Sequence, residues 1–339
     1  MVRKAITTGH RDREIELVAR LSQAIPSIGH IGNSASLITG VGDDAAVLRH
    51  SPRSDWVISC DSSLEGVHFQ SDYPAESIGY KSLARATSDL AAMGAQPRYF
   101  LLALALPAAK TGKWLRCFAL GMSRAAREFH SFLIGGDISK SASVTICIFV
   151  LGETPSGLAI PRSGARPGDL IFVTGKLGAA QLGLEIVLRG WSRQSSLKRY
   201  LHPHFYPQVP VYLAQALARQ RIPSAMMDVS DGLSTDLARL CAASGVGARI
   251  RADALPSVQV PAALLARGID PLALALHGGE DYGLLFTAPR KDAQRLRHIR
   301  RDAPITQIGE ITSTRKIVLI HRDGRSSSLP SKGWNPFGK

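Results

Sequence analysis

The chain has 339 residues, of which 45% are hydrophobic, and it carries a formal net charge of +14 at pH 7. This length and this apolar content exclude a disordered chain and predict two domains. The last 50 residues hold 12 Lys and Arg against 4 Asp and Glu, but no interleaved aromatic side chains of the kind that stack on bases. The composition therefore disfavours nucleic-acid binding.

Targeting signals and disulfides are not indicated. The N-terminal stretch has charged residues but no apolar core of a secretory signal. The longest apolar run, "YFLLALALPAA", is far shorter than the roughly 20 residues that a membrane span needs. The four cysteines form no C-x-x-C pair and no zinc-binding spacing. We expect a cytoplasmic protein with free thiols and no membrane partner.

The first half of the chain alternates between strand and helix patterns. Strands are predicted at 56–60, 99–107, 131–137 and 143–153, and helices at 76–95 and 113–129. The following segment, 154–169, is rich in Gly and Pro, which indicates a linker.

The second half repeats this alternation. Strands are predicted at 170–175, 224–228, 282–288 and 316–321, and helices at 177–189 and 230–245. Ser230 is a natural N-cap for the second of these helices. Segment 190–210 reads as an irregular crossover. The predicted fold is mixed α/β (α+β), with domains at 1–153 and 154–339.

Acidic residues gather in six short motifs, several of which follow a predicted strand. The motifs are "GVGDDAAV" with Asp43 and Asp44, "SCDSSLEGVHF" with Asp61 and Glu65, "SDLAAMGA" with Asp89, "LIGGDISKS" with Asp137, "DVSDGLSTDL" with Asp228, Asp231 and Asp236, and "HGGEDYGLLF" with Glu280 and Asp281. Ligands of open α/β sheets bind just outside the carboxyl ends of strands. Carboxylates this dense in a basic chain indicate bound Mg²⁺, which prefers oxygen ligands and bridges them to phosphates.

Each motif also has an ordinary structural interpretation. Asp in "GDD" is a common turn residue, and Asp228 with Ser230 is compatible with a simple helix cap. Asp89 follows Lys81 and Arg85 at four-residue steps, so an ion pair along one helix face is an alternative. No Walker A sequence is present, and "HRDGRS" near the C-terminus lacks the Asn and the "DFG" of a protein kinase.

As a set, the motifs resemble those of the thiamine-monophosphate kinase family. The resemblance runs from about residue 38 to 288, through the six acidic motifs, "GYKSLARATSDLAAMGAQP" and "RSGARPGDLIFVTGKLGAA", with a weaker echo in "KGWNPF". The wider superfamily of ATP-binding synthetases, which includes aminoimidazole ribonucleotide synthetase, shares the aspartates more loosely.

The resemblance implies a fold and a reaction. An N-terminal domain with a mixed sheet would pair with its copy in a homodimer, and a C-terminal α/β domain would pack over it. ATP would bind in the cleft between the domains, and its γ-phosphoryl group would pass to thiamine monophosphate, giving thiamine diphosphate. Mg²⁺ ions would be the cofactors, and no general base would be needed because the acceptor is already an ionised phosphate.

The same resemblance implies roles for individual residues. Mg²⁺ ligands would be Asp44, Ser59, Cys60, Asp61, Asp89, Asp137, Asp228 and Asp231, with Asp43 as a near neighbour. ATP would be bound by His130, Gly136, Asp137, Arg162 and Ser230. The thiamine substrate would contact His68, Glu280 and Trp334.

The chain also departs from the family pattern. Cys60 stands where Thr is usual, which weakens the case for a side-chain ligand there but leaves its backbone carbonyl as a candidate, and His130 stands where an aromatic Tyr is common. Val209 and Pro210 replace an expected Pro-Arg pair, Gly283 replaces Glu, and "GWNPF" replaces "GWDHF". Three alternatives to a thiamine-monophosphate kinase therefore stay open: another ATP-dependent synthetase of the superfamily, a regulator with a decayed site, and a basic nucleic-acid module.

Overall fold

The computed structural model describes residues 13–24, 36–299 and 303–336. The strands of the first half form a six-stranded sheet in the order β1-β2-β3-β6-β4-β5. Neighbouring strands are antiparallel, except for the parallel pair β4 and β5. The strands are β1 (Leu37–Thr39), β2 (Ala46–Arg49), β3 (Ser54–Leu64), β4 (Gln96–Leu106), β5 (Phe132–Lys140) and β6 (Thr145–Pro155).

The strands of the second half form a seven-stranded sheet in the order β13-β12-β9-β11-β7-β10-β8, in which only β9 and β12 are parallel neighbours. The strands are β7 (Leu170–Thr174), β8 (Ala225–Asp228), β9 (Gly247–Arg251), β10 (Leu284–Ala288), β11 (Ile305–Thr312), β12 (Ile317–Ile320) and β13 (Ser326–Ser328). Two mixed sheets with helices confirm the predicted fold class.

The helices lie between and beside these sheets. They are α1 (Arg13–Ala24), α2 (Ala75–Ala92), α3 (Lys113–Phe129), α4 (Ala179–Leu188), α5 (Lys198–Phe205), α6 (Val211–Arg219), α7 (Leu233–Ser244), α8 (Ala262–Leu265), α9 (Pro271–His277) and α10 (Arg290–Ala293). Short 3₁₀ segments are Ala108–Lys110, Ser195–Leu197, Ala252–Ala254 and Gln294–His298. In the described ranges, every helix is too short or too polar to cross a bilayer.

Helix α2 is the central element, because it contacts both sheets. It packs on β3, β4 and β6 of the first sheet and on β8 of the second, and it also contacts α3 and α6. Two glycines allow α2 and α3 to approach closely. A Cβ atom at Gly79 would lie 2.1 Å from the carbonyl oxygen of Phe118, and one at Gly121 would lie 1.8 Å from that of Glu76. Since α2 joins the two halves, the division at 153 and 154 stays a prediction.

Two local predictions were wrong. Segment 190–210 is not irregular throughout, since it contains α5, whose approach to α4 depends on Gly183. A Cβ atom at Gly183 would lie 2.7 Å from that of His204. Ser230 is not an N-cap, because Gly232 has a φ of 110° and the helix begins only at Leu233. The Ser230 hydroxyl donates to Asp228 instead.

Strand β5 is an open edge of the first sheet. All nine of its residues are exposed, although four of them are large and apolar: Phe132, Leu133, Ile134 and Ile138. Its only hydrogen-bonded neighbour among the described strands is β4. Open apolar edges promote pairing with another chain, so β5 is a candidate contact surface.

Candidate active site

A cavity of about 940 Å³ opens between the two sheets. Charged side chains of both signs line it. The acids are Asp43, Asp44, Asp61, Asp89, Glu185, Asp228, Asp231, Asp270 and Glu280, and the cations are Arg85, Arg162, Arg189, Arg239 and Lys332. Five of the six acidic motifs therefore reach one cavity, although Asp61 lies within β3 and Asp89 lies within α2 rather than at the end of a strand.

Arginine and serine side chains hold the aspartates at one end of this cavity, the aspartate end. Arg162 Nη2 lies 2.6 Å from Asp44 Oδ1, and its backbone N–H donates to the Asp43 carboxylate. Arg85 Nε lies 2.6 Å from an Asp61 oxygen. The alternative of ion pairs along the α2 face is wrong, because the helix turns Arg85 towards Asp61 and leaves Asp89 to serine.

Two further aspartates of this end, Asp89 and Asp228, accept hydrogen bonds from hydroxyl groups. Ser59 Oγ donates to Asp89 Oδ2 at 2.6 Å. Asp228 accepts from Ser88 and from Ser230, and Asp231 pairs with Arg239. Neutral hydroxyl donors leave the negative charge of a carboxylate largely uncompensated, so this end keeps an excess of negative charge.

Burial raises the pKa of several of these groups. It raises the pKa of Asp44 to about 7, against the lowering influence of Arg162 and with Asp228 and Asp43 adding repulsion. Burial, together with Asp228 and Asp61, holds the pKa of Asp89 well above its ordinary value. Burial likewise raises the pKa of Asp228. These carboxylates are therefore destabilised as anions unless a cation joins them.

The donor set suits a hard cation such as Mg²⁺, which prefers carboxylate oxygens. Within the described part of the chain, Asp44 Oδ2 is buried without a hydrogen-bond partner, which leaves one oxygen open to such an ion. Across the same residues, however, no three acidic, His or Cys side chains already converge as a ready-made metal cage. The aspartates are therefore chemically suited to the ion. In this structure Arg162, Arg85 and the serines fix the positions of the aspartates.

A second region of the cavity, the Glu280 end, is built differently, although its backbone adjoins the aspartate end through a hydrogen bond from the Glu280 N–H to the Ser230 carbonyl oxygen at 2.7 Å. Lys81 Nζ lies 2.7 Å from Glu280 Oε2, and His204 Nδ1 lies 3.5 Å from the same oxygen. Burial by itself raises the pKa of Glu280, but Lys81 and His204 outweigh it and hold that pKa well below its ordinary value. The negative charge of Glu280 is therefore balanced by the protein itself, chiefly by Lys81.

The loop that carries Glu280 is strained and tightly packed. Glu280 and Tyr282 have φ values of 65° and 48°, in the left-handed region that side chains other than glycine rarely adopt. Asp281 fixes the loop by accepting hydrogen bonds from the backbone N–H groups of Gly178 and Ala180 at the start of α4. A Cβ atom at Gly283 would lie 2.6 Å from the Thr174 carbonyl oxygen, so the loop packs closely against β7 at this position.

His68 and Trp334 also line the cavity. His68 Nδ1 accepts the backbone N–H of Leu64 at 3.0 Å, so its proton lies on Nε2. Burial, helped by Arg85, lowers the pKa of His68 to about 4, so the ring is a neutral donor near pH 7. Trp334 is 49% exposed, and its backbone N–H donates to the Asp231 carbonyl oxygen.

Three predicted ATP ligands do not line this cavity within the chain, and one of them, Asp137, is also the predicted Mg²⁺ ligand that lies apart from the other aspartates. Gly136 and Asp137 lie on the exposed strand β5, where Asp137 accepts a hydrogen bond from Ser139. Gly136 packs on β4, because a Cβ atom there would lie 1.9 Å from the Leu102 carbonyl oxygen. His130 ends α3 with a φ of 53°, and its Nε2 atom lies 2.6 Å from the Tyr212 hydroxyl.

Cys60 borders the cavity, but its thiol is engaged elsewhere. Side chains alternate along a strand, so the Cys60 thiol lies on the sheet face opposite to Asp61. Its Sγ atom lies 3.4 Å from that of Cys147. A side-chain role for Cys60 towards a metal has no support in this geometry, whereas its backbone carbonyl lies beside Asp61.

Some site residues escaped the sequence-based prediction, and some acids in the motifs have structural roles. The sequence pattern indicates Lys81 and Arg85 only as partners of Asp89, and Tyr73, His204 and Arg239 belong to none of the acidic motifs. Glu65 is not in the cavity, since it pairs with Lys110 and accepts the Val144 N–H. Asp236 is fully buried and accepts the N–H groups of Asp231 and Gly232 ahead of α7.

Known proteins match the chain along most of its length. The AIR synthase related protein N-terminal domain matches residues 42–154, and the corresponding C-terminal domain matches residues 166–322. The thiamine-monophosphate kinase of Salmonella typhimurium is 35% identical over 331 residues, covering 96% of this chain and 98% of that protein. The Bacillus subtilis enzyme of the same name is 33% identical, covering 89% and 94%.

Solved structures agree with these matches. The structure described as "AaThiL complexed with AMPPCP and TMP" has a TM-score of 0.83 and 29% identity, covering 98% of this chain and all of that one. The thiamine-monophosphate kinase of Stenotrophomonas maltophilia K279a has a TM-score of 0.74 and 32% identity, covering 92% and 96%. The chain belongs to the thiamine-monophosphate kinase family.

Proposed function

We propose that the protein transfers the γ-phosphoryl group of ATP to the phosphate of thiamine monophosphate, giving thiamine diphosphate. The observation that carries this proposal is the two-ended cavity between the sheets. Its aspartate end suits a cation that would bind a triphosphate, and its Glu280 end suits an organic cation or hydrogen-bond donor. The related structure that contains AMPPCP and TMP supports the same pair of substrates.

We place Mg²⁺ at the aspartate end. Asp44, Asp61, Asp89, Asp228 and Asp231 would supply side-chain oxygens, and Ser59 and the Cys60 carbonyl would lie beside them. Bound Mg²⁺ would neutralise the repulsion between the triphosphate and the phosphate that accepts the transferred group. Arg162 and Ser230, which lie between Asp44 and Asp228, would donate hydrogen bonds to the phosphates of ATP.

No residue is assigned as a general base. The acceptor is a phosphate monoester, whose second pKa of about 6 leaves it mostly dianionic near neutral pH. The chain then has to orient the two phosphates in line and exclude water from between them. The neutral His68 ring would donate a hydrogen bond from its Nε2–H group to the thiamine substrate, and Trp334 would cover the thiamine at the cavity mouth.

The active form is proposed to be a homodimer that forms through the β5 edge. The support is the run of exposed apolar side chains on β5 and the position of three ATP-binding candidates beside it. His130, Gly136 and Asp137 lie away from the cavity of their own chain, so we place their role at the contact between two copies. A cytoplasmic location without nucleic-acid or membrane partners stays a prediction.

The test is direct. Purified protein is incubated with ATP, Mg²⁺ and thiamine monophosphate, and thiamine diphosphate is followed by chromatography. The diphosphate should appear, and EDTA or Asp61→Ala should abolish it, whereas Asp253→Asn, at an exposed ion pair with Arg251, should not. A folded protein that binds ATP but forms no thiamine diphosphate would contradict the proposal.

A further inference from the structure

Four buried or half-buried side chains form one connected cluster at the Glu280 end of the cavity. Lys81 Nζ and His204 Nδ1 both contact Glu280 Oε2, at 2.7 and 3.5 Å, and His204 Nε2 lies 3.2 Å from the Tyr73 hydroxyl. Lys81 is 8% exposed and His204 is 1% exposed. Holding a lysine and a histidine away from water is costly unless their partners are fixed, so the geometry of this cluster is tightly constrained.

The cluster draws on four separate elements. Tyr73 precedes α2, Lys81 lies on α2, His204 lies on α5, and Glu280 lies on the strained loop before β10. Tyr73, His204 and Glu280 line the main cavity, while Lys81 lies behind them and lines a small neighbouring cavity. The cluster therefore positions a carboxylate from the second half of the chain against residues of the first half.

His204 Nδ1 lies 3.5 Å from Lys81 Nζ as well as from Glu280 Oε2. An ammonium only donates and a carboxylate only accepts hydrogen bonds, so the ring contacts Glu280 favourably when its proton is on Nδ1, and Lys81 then donates to Glu280 alone. Nε2 then accepts from the Tyr73 hydroxyl. Both contacts from the protein fall on Glu280 Oε2, so Oε1 is the oxygen left to meet a ligand in the cavity.

We infer that His204 and Lys81 are positioning residues that orient the Glu280 carboxylate towards the organic part of the substrate, with Tyr73 fixing the His204 ring. A carboxylate held this way repels a phosphate and attracts a cationic or hydrogen-bond-donating group. Glu280 therefore meets the organic part of the substrate, which carries the amino group and the positive charge, and the phosphates lie towards the aspartate end. This inference rests on the proposed function.

The experiment compares His204 variants in steady-state kinetics. His204→Phe keeps a planar ring but removes both ring nitrogens, so it should raise KM for thiamine monophosphate about tenfold. KM for ATP should stay unchanged, because His204 contacts Tyr73, Lys81 and Glu280, which are not assigned to ATP. His204→Asn retains an N–H donor close to the position of Nδ1 and should restore a large part of the lost affinity. His298→Phe, at an exposed position, is the matched control and should leave both constants unchanged.

A double-mutant cycle separates positioning from a general packing effect. If His204 acts through Glu280, then His204→Phe should add little to the KM of a Glu280→Gln variant. Should His204→Phe fail to fold, Tyr73→Phe removes only the hydroxyl and should raise KM for thiamine monophosphate about threefold.

Two outcomes would overturn the inference: an unchanged KM for thiamine monophosphate in the folded variants, or effects of His204 and Glu280 that simply add. Both are measured against an active wild-type protein. A wild type that forms no diphosphate would instead contradict the proposed function, so the two failures are distinguishable.

Discussion

The two ends of the cavity hold carboxylates of opposite character. At the aspartate end, burial and mutual repulsion raise the pKa values of Asp44, Asp89 and Asp228, and serine hydroxyls are prominent among the partners. At the Glu280 end, a buried lysine and a histidine hold the pKa of Glu280 low. A buried carboxylate can therefore be left ready to bind a cation or be neutralised within the fold, depending on which partner the fold supplies.

The largest expected effect comes from Asp89→Asn. We expect activity to fall by at least about 100-fold, because the variant loses the negative charge with which Asp89 would bind Mg²⁺ beside the phosphates. The free energy of unfolding without Mg²⁺ should nevertheless rise, by about 1 kcal/mol, because an unfavourable buried charge is removed. Kinetics and denaturant unfolding check both. A variant that loses both activity and stability would contradict the conclusion that the buried Asp89 charge destabilises the fold without Mg²⁺.

Glu280→Gln should act on stability in the opposite direction. It leaves Lys81 buried without its anion, so the free energy of unfolding should fall by about 3 kcal/mol, the typical cost of breaking one partner of a buried pair. Urea unfolding measures this change. Glu310→Gln, which breaks exposed pairs with Arg249 and Arg290, is the matched control and should cost well under 1 kcal/mol. Equal losses in the two variants would be incompatible with a compensated Glu280.

Addition of Mg²⁺ should distinguish the ends by thermal unfolding. A saturating concentration about 100-fold above Kd stabilises a folded protein by about 2.7 kcal/mol, so Tm should rise by a few degrees. This rise should disappear in Asp44→Asn and persist in Glu280→Gln. An equal rise in both variants would mean that Mg²⁺ binds outside the aspartate end.

The smallest expected effect concerns His68. Its pKa of about 4 lies below the ordinary value of about 6.5, so the unfolded chain binds a proton as the pH falls while the folded one does not. The contribution of His68 to stability is therefore present at neutral pH and is lost as the pH falls from about 6.5 towards 4. His68→Gln should remove that part of the loss, and NMR titration of the ring should show a neutral imidazole at pH 5.5.

Much of this architecture could be predicted from sequence where the information is local. The apolar periodicity of 113–129 predicted a helix with the bounds that α3 has, and the aspartate motifs predicted a shared cavity. Gly232 was missed as a helix boundary because the pattern of the "SDGL" turn resembled a capped start. The strand β5 was predicted, but its exposure on an open edge depends on the strand order, which periodicity does not encode.

The Glu280 cluster could not be predicted, for a physical reason. Lys81 and Glu280 are 199 positions apart, and His204 lies in a segment whose helical character depends on packing against α4. A lysine on a helix normally points to water. Lys81 needs an anionic partner because α2 is buried between the two sheets. Such pairings depend on tertiary structure and produce no periodic pattern in the sequence.

The position of α2 has a consequence for cooperativity. Fourteen of its eighteen residues are buried, by groups that come from both halves of the chain. Removal of either half would expose one side of this helix to water, so neither half is expected to keep its structure alone. Denaturation should therefore proceed as a single calorimetric transition, and a substitution at the interface of α2 with one sheet should weaken the other sheet as well.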